Sequence, residues 1–221
     1  MNMNAPLKID FVSDVSCPWC AIGLASLERA LAEPGAPQAV LHFQPFELNP
    51  HMSPAGQDIT EHLTQKYGST REQQTAARDA IRARGEALGF EFRMEGRDRI
   101  YNTFDAHRLL HWAELEDPAK QVALKKALFK AYFTDGKSPA DVQVLVDCAK
   151  SAGLDEARAR AILASDEFES EVREREQFYL SHGIHAVPAV IVNDRHLIQG
   201  GQPPEVFAQA LRQIAGEASP A

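Results

Sequence analysis

The chain has 221 residues, 44% of them hydrophobic and 24% charged, which fits a folded globular protein and excludes a disordered or fibrous one. Thirty-one acidic against twenty-three basic side chains leave a net charge of -8. That balance offers no basic face to release counterions from phosphates, so no nucleic-acid partner is expected. No apolar run reaches the roughly eighteen residues a membrane span needs, so no membrane partner is expected.

Met1 to Leu7 has neither a basic run nor an apolar stretch, so no secretory leader is expected and a cytoplasmic location is read. Leu7 to Ser13 alternates, with Leu7, Ile9 and Phe11 on one side, and predicts a strand. Beyond Cys17 and Pro18, the residues Ile22, Leu24, Leu27, Ala30 and Leu31 recur at helical spacing until Pro34-Gly35. Ala39 to Gln44 predicts a second strand, closed by Pro45. Residues 46–57 form a Pro-rich connection.

From Asp58 to about Ser181 the pattern is helical throughout. Helices are predicted over 59–67, 70–88, 100–115, 118–134, 140–151, 154–164 and 167–182. Asp58, Ser69, Asp117, Ser138 and Ser165 are the expected caps, and Gly136 and Gly153 the expected stops. Taken alone, this block reads as scaffold or cover. The run Val187 to Asn193 is apolar and β-branched and turns at Asn193-Asp194 into a hairpin partner, His196 to Gln199. Pro203 or Pro204 then opens a last helix with Val206, Phe207, Ala210, Leu211 and Ile214 on one face.

Three cysteines, Cys17, Cys20 and Cys148, are too few for a disulfide framework. Two of them form Cys17-Pro18-Trp19-Cys20 where the first strand meets the first helix. Free N–H groups and the helix dipole favour an anion at Cys17, which makes it the expected nucleophile; Cys20, one turn inside, is the expected resolving thiol. Pro18 at the first helical position sacrifices no hydrogen bond. A zinc site would need about four ligands, and beyond Cys148, His182 and His185 few candidates remain, so no metal is expected. A purely structural disulfide would close too small a loop to restrict the unfolded chain much. Redox chemistry is the preferred reading. Cys148, beside Val144 and Leu145, reads as a small buried hydrophobe. Pro188 at a strand entrance reads locally as a plain trans proline, with a cis bond as the alternative.

Several segments together carry a family resemblance. These are S-D-V-S-C-P-W-C-A-I-G at 13–23, F-E-L-N-P at 46–50, N-T-F-D-A-H-R-L at 102–109, V-P-A-V-I-V-N at 187–193 and G-G-Q-P-P-E-V-F at 200–207. Over essentially its whole length the chain resembles the DsbA-like thioredoxin-fold proteins, within them the cytosolic FrnE-like branch of thiol–disulfide oxidoreductases. The resemblance implies an α/β thioredoxin fold with a large all-helical insertion between the second and third strands. Residues 1–57 and 183–221 would form the thioredoxin-like domain and 58–182 the helical insertion domain. It implies that Pro188 is cis and lies against the Cys17–Cys20 pair, and that the backbone of Val187 pairs with a thiol substrate. Trp19 and Asn49 become candidate substrate contacts. Thiol and disulfide substrates are the implied partners, with glutathione as a redox partner or co-substrate and no resident cofactor. A homodimer is common among such relatives.

The strongly oxidising relatives carry Pro-His between the cysteines. Trp19 brings no positive charge, so a less oxidising pair is expected, suited to isomerase or reductase work. Two departures stand out: Ile184-His185-Ala186-Val187 lacks a glycine, and Gly201 stands where alanine is common. A second reading is a glutathione-dependent isomerase or transferase resembling the kappa-class transferases and hydroxychromene carboxylate isomerases. Those usually have Ser at the first cysteine position, so the presence of both Cys17 and Cys20 argues against it. A third is a binding module whose helical lobe grips a partner. Asp14 is read as an exposed turn residue or, if buried, as a proton acceptor for Cys20. Asn49 is read first as a turn-former. Asn102, His107 and Arg108 lie on a helix that could face the thiols, and His185 either tunes them or is solvated.

Overall fold

Four strands form the main sheet, in the order β2-β1-β5-β6, and the strand that carries the alternating Leu7, Ile9 and Phe11 lies inside it. The computed structural model describes residues 6–53, 55–93 and 97–217. Residues 1–5, on which the leader reading falls, and Pro54 of the connection lie outside the described residues. β1 (Leu7–Ser13) runs parallel to β2 (Ala39–Pro45) and antiparallel to β5 (Ala189–Val192), with Phe11 opposite both Phe43 and Val190. β6 (His196–Gln199) pairs antiparallel with β5.

An interior strand is covered on both faces, and the side chains of β1 divide accordingly. Leu7, Ile9 and Phe11 enter a core built with Leu24 and Leu27 of α1 (Pro18–Leu31) and with Phe207, Leu211 and Ile214 of α9 (Pro204–Glu217). Val12 joins a smaller cluster with Tyr179, Ile184 and Ala189 on the opposite face. The hairpin turn is the one its two residues suggest. Asn193 and Asp194 both have positive φ, +54° and +55°, the left-handed pair that a two-residue hairpin loop requires. Asn193 Oδ1 also accepts the Lys8 N–H at 3.0 Å, tying the turn to β1.

Among the described residues between β2 and β5 lie seven α-helices: α2 (Ile59–Tyr67), α3 (Arg71–Leu88), α4 (Phe104–Glu116), α5 (Pro118–Phe129), α6 (Val142–Ser151), α7 (Glu156–Leu163) and α8 (Glu169–Ser181). The insertion also carries a two-residue antiparallel pair, β3 (Gln57–Asp58) with β4 (Arg99–Ile100). This pairing takes Ile100 out of the helix expected from that residue; α4 starts at Phe104, whose N–H is accepted by Asn102 Oδ1 at 2.9 Å. Two expected caps move to a neighbouring residue, and Ser69 Oγ instead donates to the Leu63 carbonyl at 3.0 Å. Thr70, not Ser69, caps α3, closing a reciprocal box with Gln73. Asp141, not Ser138, caps α6. Ser165 does not cap α8, whose N-cap is Phe168 at φ +65°. The helix expected to reach 134 does so, but its last turn, Lys130–Thr134, is a π-turn.

Most apolar side chains of α4 to α7 share one cluster, including Leu109, Leu110, Leu124, Leu128, Leu145 and Ile162. Val15, from the turn after β1, belongs to that cluster, whereas Phe129, Tyr132 and Phe133 reach into the core of the sheet. α5 also guards the outer strand. Gln121 accepts the Phe43 N–H at 2.9 Å and donates to the Phe43 carbonyl at 3.0 Å, satisfying both backbone groups of β2 there as a neighbouring strand would.

Candidate active site

The two cysteines open α1. Cys17 is its N-cap residue, in extended conformation (φ -90°, ψ 112°), and Pro18 occupies the first helical turn where no N–H is needed. Both thiols are free. Cys17 is 4% exposed and Cys20 fully buried, so the expected nucleophile is covered almost as well as its partner, and Trp19 between them is the exposed member at 40%. Burial, and then the neighbouring Cys17 sulfur, push the Cys20 thiol well above its ordinary range, because a second anion in a dry site is disfavoured.

The Val187–Pro188 peptide bond is cis, as the resemblance implied and against the simpler local reading. The Val187 carbonyl lies 3.8 Å from Cys17 Sγ, which donates a weak thiol hydrogen bond to it. Pro188 is buried and packs on α1. A Cβ added to Gly23 would lie 3.1 Å from Pro188 Cγ. The second departure has a steric reason: a Cβ at Gly201 would meet the Trp19 carbonyl at 2.9 Å, so glycine lets the loop before α9 lie against the first turn of α1.

Asp14 is fully buried, which corrects its reading as an exposed turn residue. Its two carboxylate oxygens nonetheless shape the turn: Oδ1 accepts the Ser16 N–H at 3.0 Å and Oδ2 the Leu48 N–H at 2.7 Å. His107 Nε2 stands 3.8 Å away, an ion-pair distance rather than a hydrogen bond. Burial alone would raise the pKa of Asp14, but His107 and the two N–H donors outweigh it and hold it below its ordinary value. Asp14 is therefore a carboxylate at neutral pH, with its lone pairs engaged.

Residues 46–50 form a wall beside this turn. Glu47 is bound by Arg173 of α8 and accepts from Asn102 Nδ2 at 3.2 Å. Lys66 of α2 donates to the Leu48 carbonyl at 2.6 Å and to Asn49 Oδ1 at 2.8 Å. Asn49 also makes the expected turn, its carbonyl accepting from Met52 N–H at 3.0 Å. All five segments that carry the resemblance thus meet: 13–23 with 46–50 through Asp14 and Leu48, 102–109 through Asn102 and His107, 187–193 through Val187, and 200–207 through Gly201.

Not every candidate comes to the sulfurs. Arg108 turns away and donates to the carbonyls of Glu167, Ile162 and Ser165, clamping the approach to α8. His185 is exposed. Cys148 is buried on α6, and burial pushes its thiol up to about 11. Among the described residues no group of three or more His, Cys, Asp or Glu side chains could hold a metal ion, and no helix is long and apolar enough to cross a membrane.

Two neighbours of the sulfurs escaped the sequence reading. Tyr67, at the end of α2, has its phenol raised first by partial burial and then by Cys17. Lys125 of α5 is fully buried, and its charge reaches Cys20, Asp14 and Cys17. A signal for Lys125 exists: Gln121, Lys125, Phe129 and Tyr132 are spaced four, four and three apart, so this lysine falls on the stripe that faces the core.

Residues 8–212 match the family described as the DSBA-like thioredoxin domain. Among solved structures, a probable DsbA oxidoreductase from Streptomyces coelicolor is 36% identical with a TM-score of 0.87, over 97% of this chain and 92% of that one. A 2-hydroxychromene-2-carboxylate isomerase is 14% identical with a TM-score of 0.66, over 96% and 100% of the two chains. A cytosolic disulfide reductase, DsbM from Pseudomonas aeruginosa, solved with GSH, is 16% identical with a TM-score of 0.63, over 94% and 98%. The last two are likenesses of fold alone.

Proposed function

Because the chain belongs to the DSBA-like thioredoxin domain family, we propose that Cys17 and Cys20 form a redox pair that exchanges disulfides with protein or small thiol substrates. The observation that carries this reading is the meeting of two free sulfurs on the first turn of α1 with the Val187 carbonyl, 3.8 Å from Cys17 Sγ. Cys17 thiolate attacks one sulfur of a substrate disulfide. A Cys17–substrate bond forms, the substrate S–S bond breaks, and the other half leaves as a thiol after taking a proton. Cys20, having lost its own proton, then attacks Cys17 Sγ, forming Cys17–Cys20 and releasing the second substrate thiol. The substrate is reduced by two electrons and the pair is oxidised; the reverse sequence oxidises a dithiol.

Val187 offers its backbone, and Trp19 and Asn49 their side chains, to the substrate, while Pro188 shapes the groove. Glutathione fits as the small thiol that closes the cycle, and the compartment in this reading is the cytoplasm. With Trp19 rather than a cation in the dipeptide, the pair lies on the less oxidising side, toward reduction or isomerisation. The glutathione-transferase and isomerase reading is the weaker one, since that chemistry needs no second sulfur at the position of Cys20.

The test is trapping. Cys20→Ser should accumulate a mixed disulfide with substrate, visible by mass, and Cys17→Ser should abolish exchange. Full exchange by Cys17→Ser would contradict the mechanism.

A further inference from the structure

Lys125 has no exposed surface, and its Nζ has no hydrogen-bond partner. Its surroundings are aromatic, with Nζ 4.9 Å from the ring centroid of Phe129 and 5.7 Å from that of Phe43. Both rings belong to the core cluster that also contains Cys17 and Cys20. The ionisable groups that bear on Lys125 are Cys20 of α1, its N-cap Cys17, and Asp14 in the turn after β1. On α4, His107 faces Asp14 at 3.8 Å, and on the π-turn Tyr132 also feels that carboxylate.

Ring faces attract an ammonium but do not replace its water. A methionine of similar length would fill the same space without a desolvation penalty. A lysine held there at the expense of stability points to a use. Among the groups that Lys125 influences, Cys20 is the one buried thiol with an opposing need. Burial and Cys17 hold that thiol protonated, and Lys125 pulls the other way.

Building on the exchange reaction proposed above, we propose that Lys125 is the counter-charge of Cys20, its buried ammonium balancing the thiolate that Cys20 must become to release a captured substrate. In that step Cys20 loses its proton to solvent base, and its electron pair forms the bond to Cys17 Sγ. The Cys17–substrate bond breaks, and the departing thiolate takes a proton from water. Lys125 gives and takes nothing; it is a positioning residue that acts through charge and couples the helical insertion to the sulfur chemistry.

The test uses the full-length protein with oxidised glutathione as the probe, following capture and release separately by rapid quench and mass spectrometry. A nearby opposite charge moves a pKa by about 1–3 units. Each unit removes tenfold in thiolate, of which greater nucleophilicity returns a little under half on a logarithmic scale. Lys125→Met should therefore slow release by about 3- to 40-fold, slow capture less, and raise the melting temperature. The deficit should be largest below pH 8 and close above it, because burial lowers Lys125 to about 8 and the wild type then loses the same charge. Release at the wild-type rate, or a deficit equal at every pH, would overturn the proposal. Lys125→Leu serves if the methionine variant does not fold. Failure of the wild type to capture glutathione would instead sink the exchange reading, so the two failures are distinguishable.

Discussion

Cys20 and Cys148 are both free thiols buried on helices, yet their surroundings differ in every respect that makes a thiol reactive. Burial raises both. Around Cys148 burial dominates: the site is the apolar face of α6, packed with Leu145, Val146 and Ala149, and the pull of Lys137 and Lys130 is opposed by Asp147 and Asp135. Cys20 has a second sulfur three residues away, an ionised carboxylate at the turn below and a lysine whose charge opposes the burial. In the proposed mechanism a cysteine becomes a reagent through its partner and counter-charge rather than through exposure; Cys17 itself is 4% exposed.

The contrast is broken most directly by deleting one sulfur from each region. Cys17→Ser should lose at least about a thousandfold in disulfide exchange. Cys148→Ala should keep the rate within about twofold and cost roughly 1 kcal/mol of stability for the lost sulfur packing. Exchange assays and denaturant melts of both variants check this; loss of exchange in Cys148→Ala would show that the two regions are not independent.

A smaller effect sharpens the steric half of the comparison. Gly201→Ala forces a Cβ toward the Trp19 carbonyl, a backbone atom that cannot swing aside. A cost of roughly 1–3 kcal/mol is expected, with melting lowered by about 2–4 °C per kcal/mol at this chain length. An unchanged melting temperature would mean that the loop before α9 is not pressed on the first turn of α1.

The smallest effect concerns pH. Asp14 has a folded pKa below its unfolded one, so its contribution is complete above about pH 4 and is lost as the pH falls through the lower, folded value. Melting curves of wild type and Asp14→Asn should therefore differ most above pH 5 and converge below pH 4. A difference constant with pH would show that Asp14 matters by shape and not by charge.

Much of this was legible in the residues. The alternation of Leu7, Ile9 and Phe11, the proline after Cys17 and the Asn193-Asp194 turn each express a local backbone demand, and each appears where expected. What escaped depends on tertiary contacts. The pair Gln57–Asp58 with Arg99–Ile100 is too short to show a period. Asp14 looks like any turn aspartate until α4 and the loop at Leu48 close over it. Lys125 stands next to Lys126, and nothing in that pair tells which one is buried: Lys126 is half-exposed and pairs with Glu28 at 2.9 Å, while Lys125, about 100° away round the helix, points into the core.

The central claim is that the two sulfurs of α1 cycle with each other. The direct measurement is equilibration of the protein across a range of reduced-to-oxidised glutathione ratios, followed by acid quench, alkylation and peptide mass spectrometry. The account predicts one cooperative transition in which Cys17 and Cys20 become a disulfide together while Cys148 stays alkylatable once the protein is denatured. A Cys17–Cys20 pair that remained reduced at every ratio, or that linked to Cys148 instead, would contradict it.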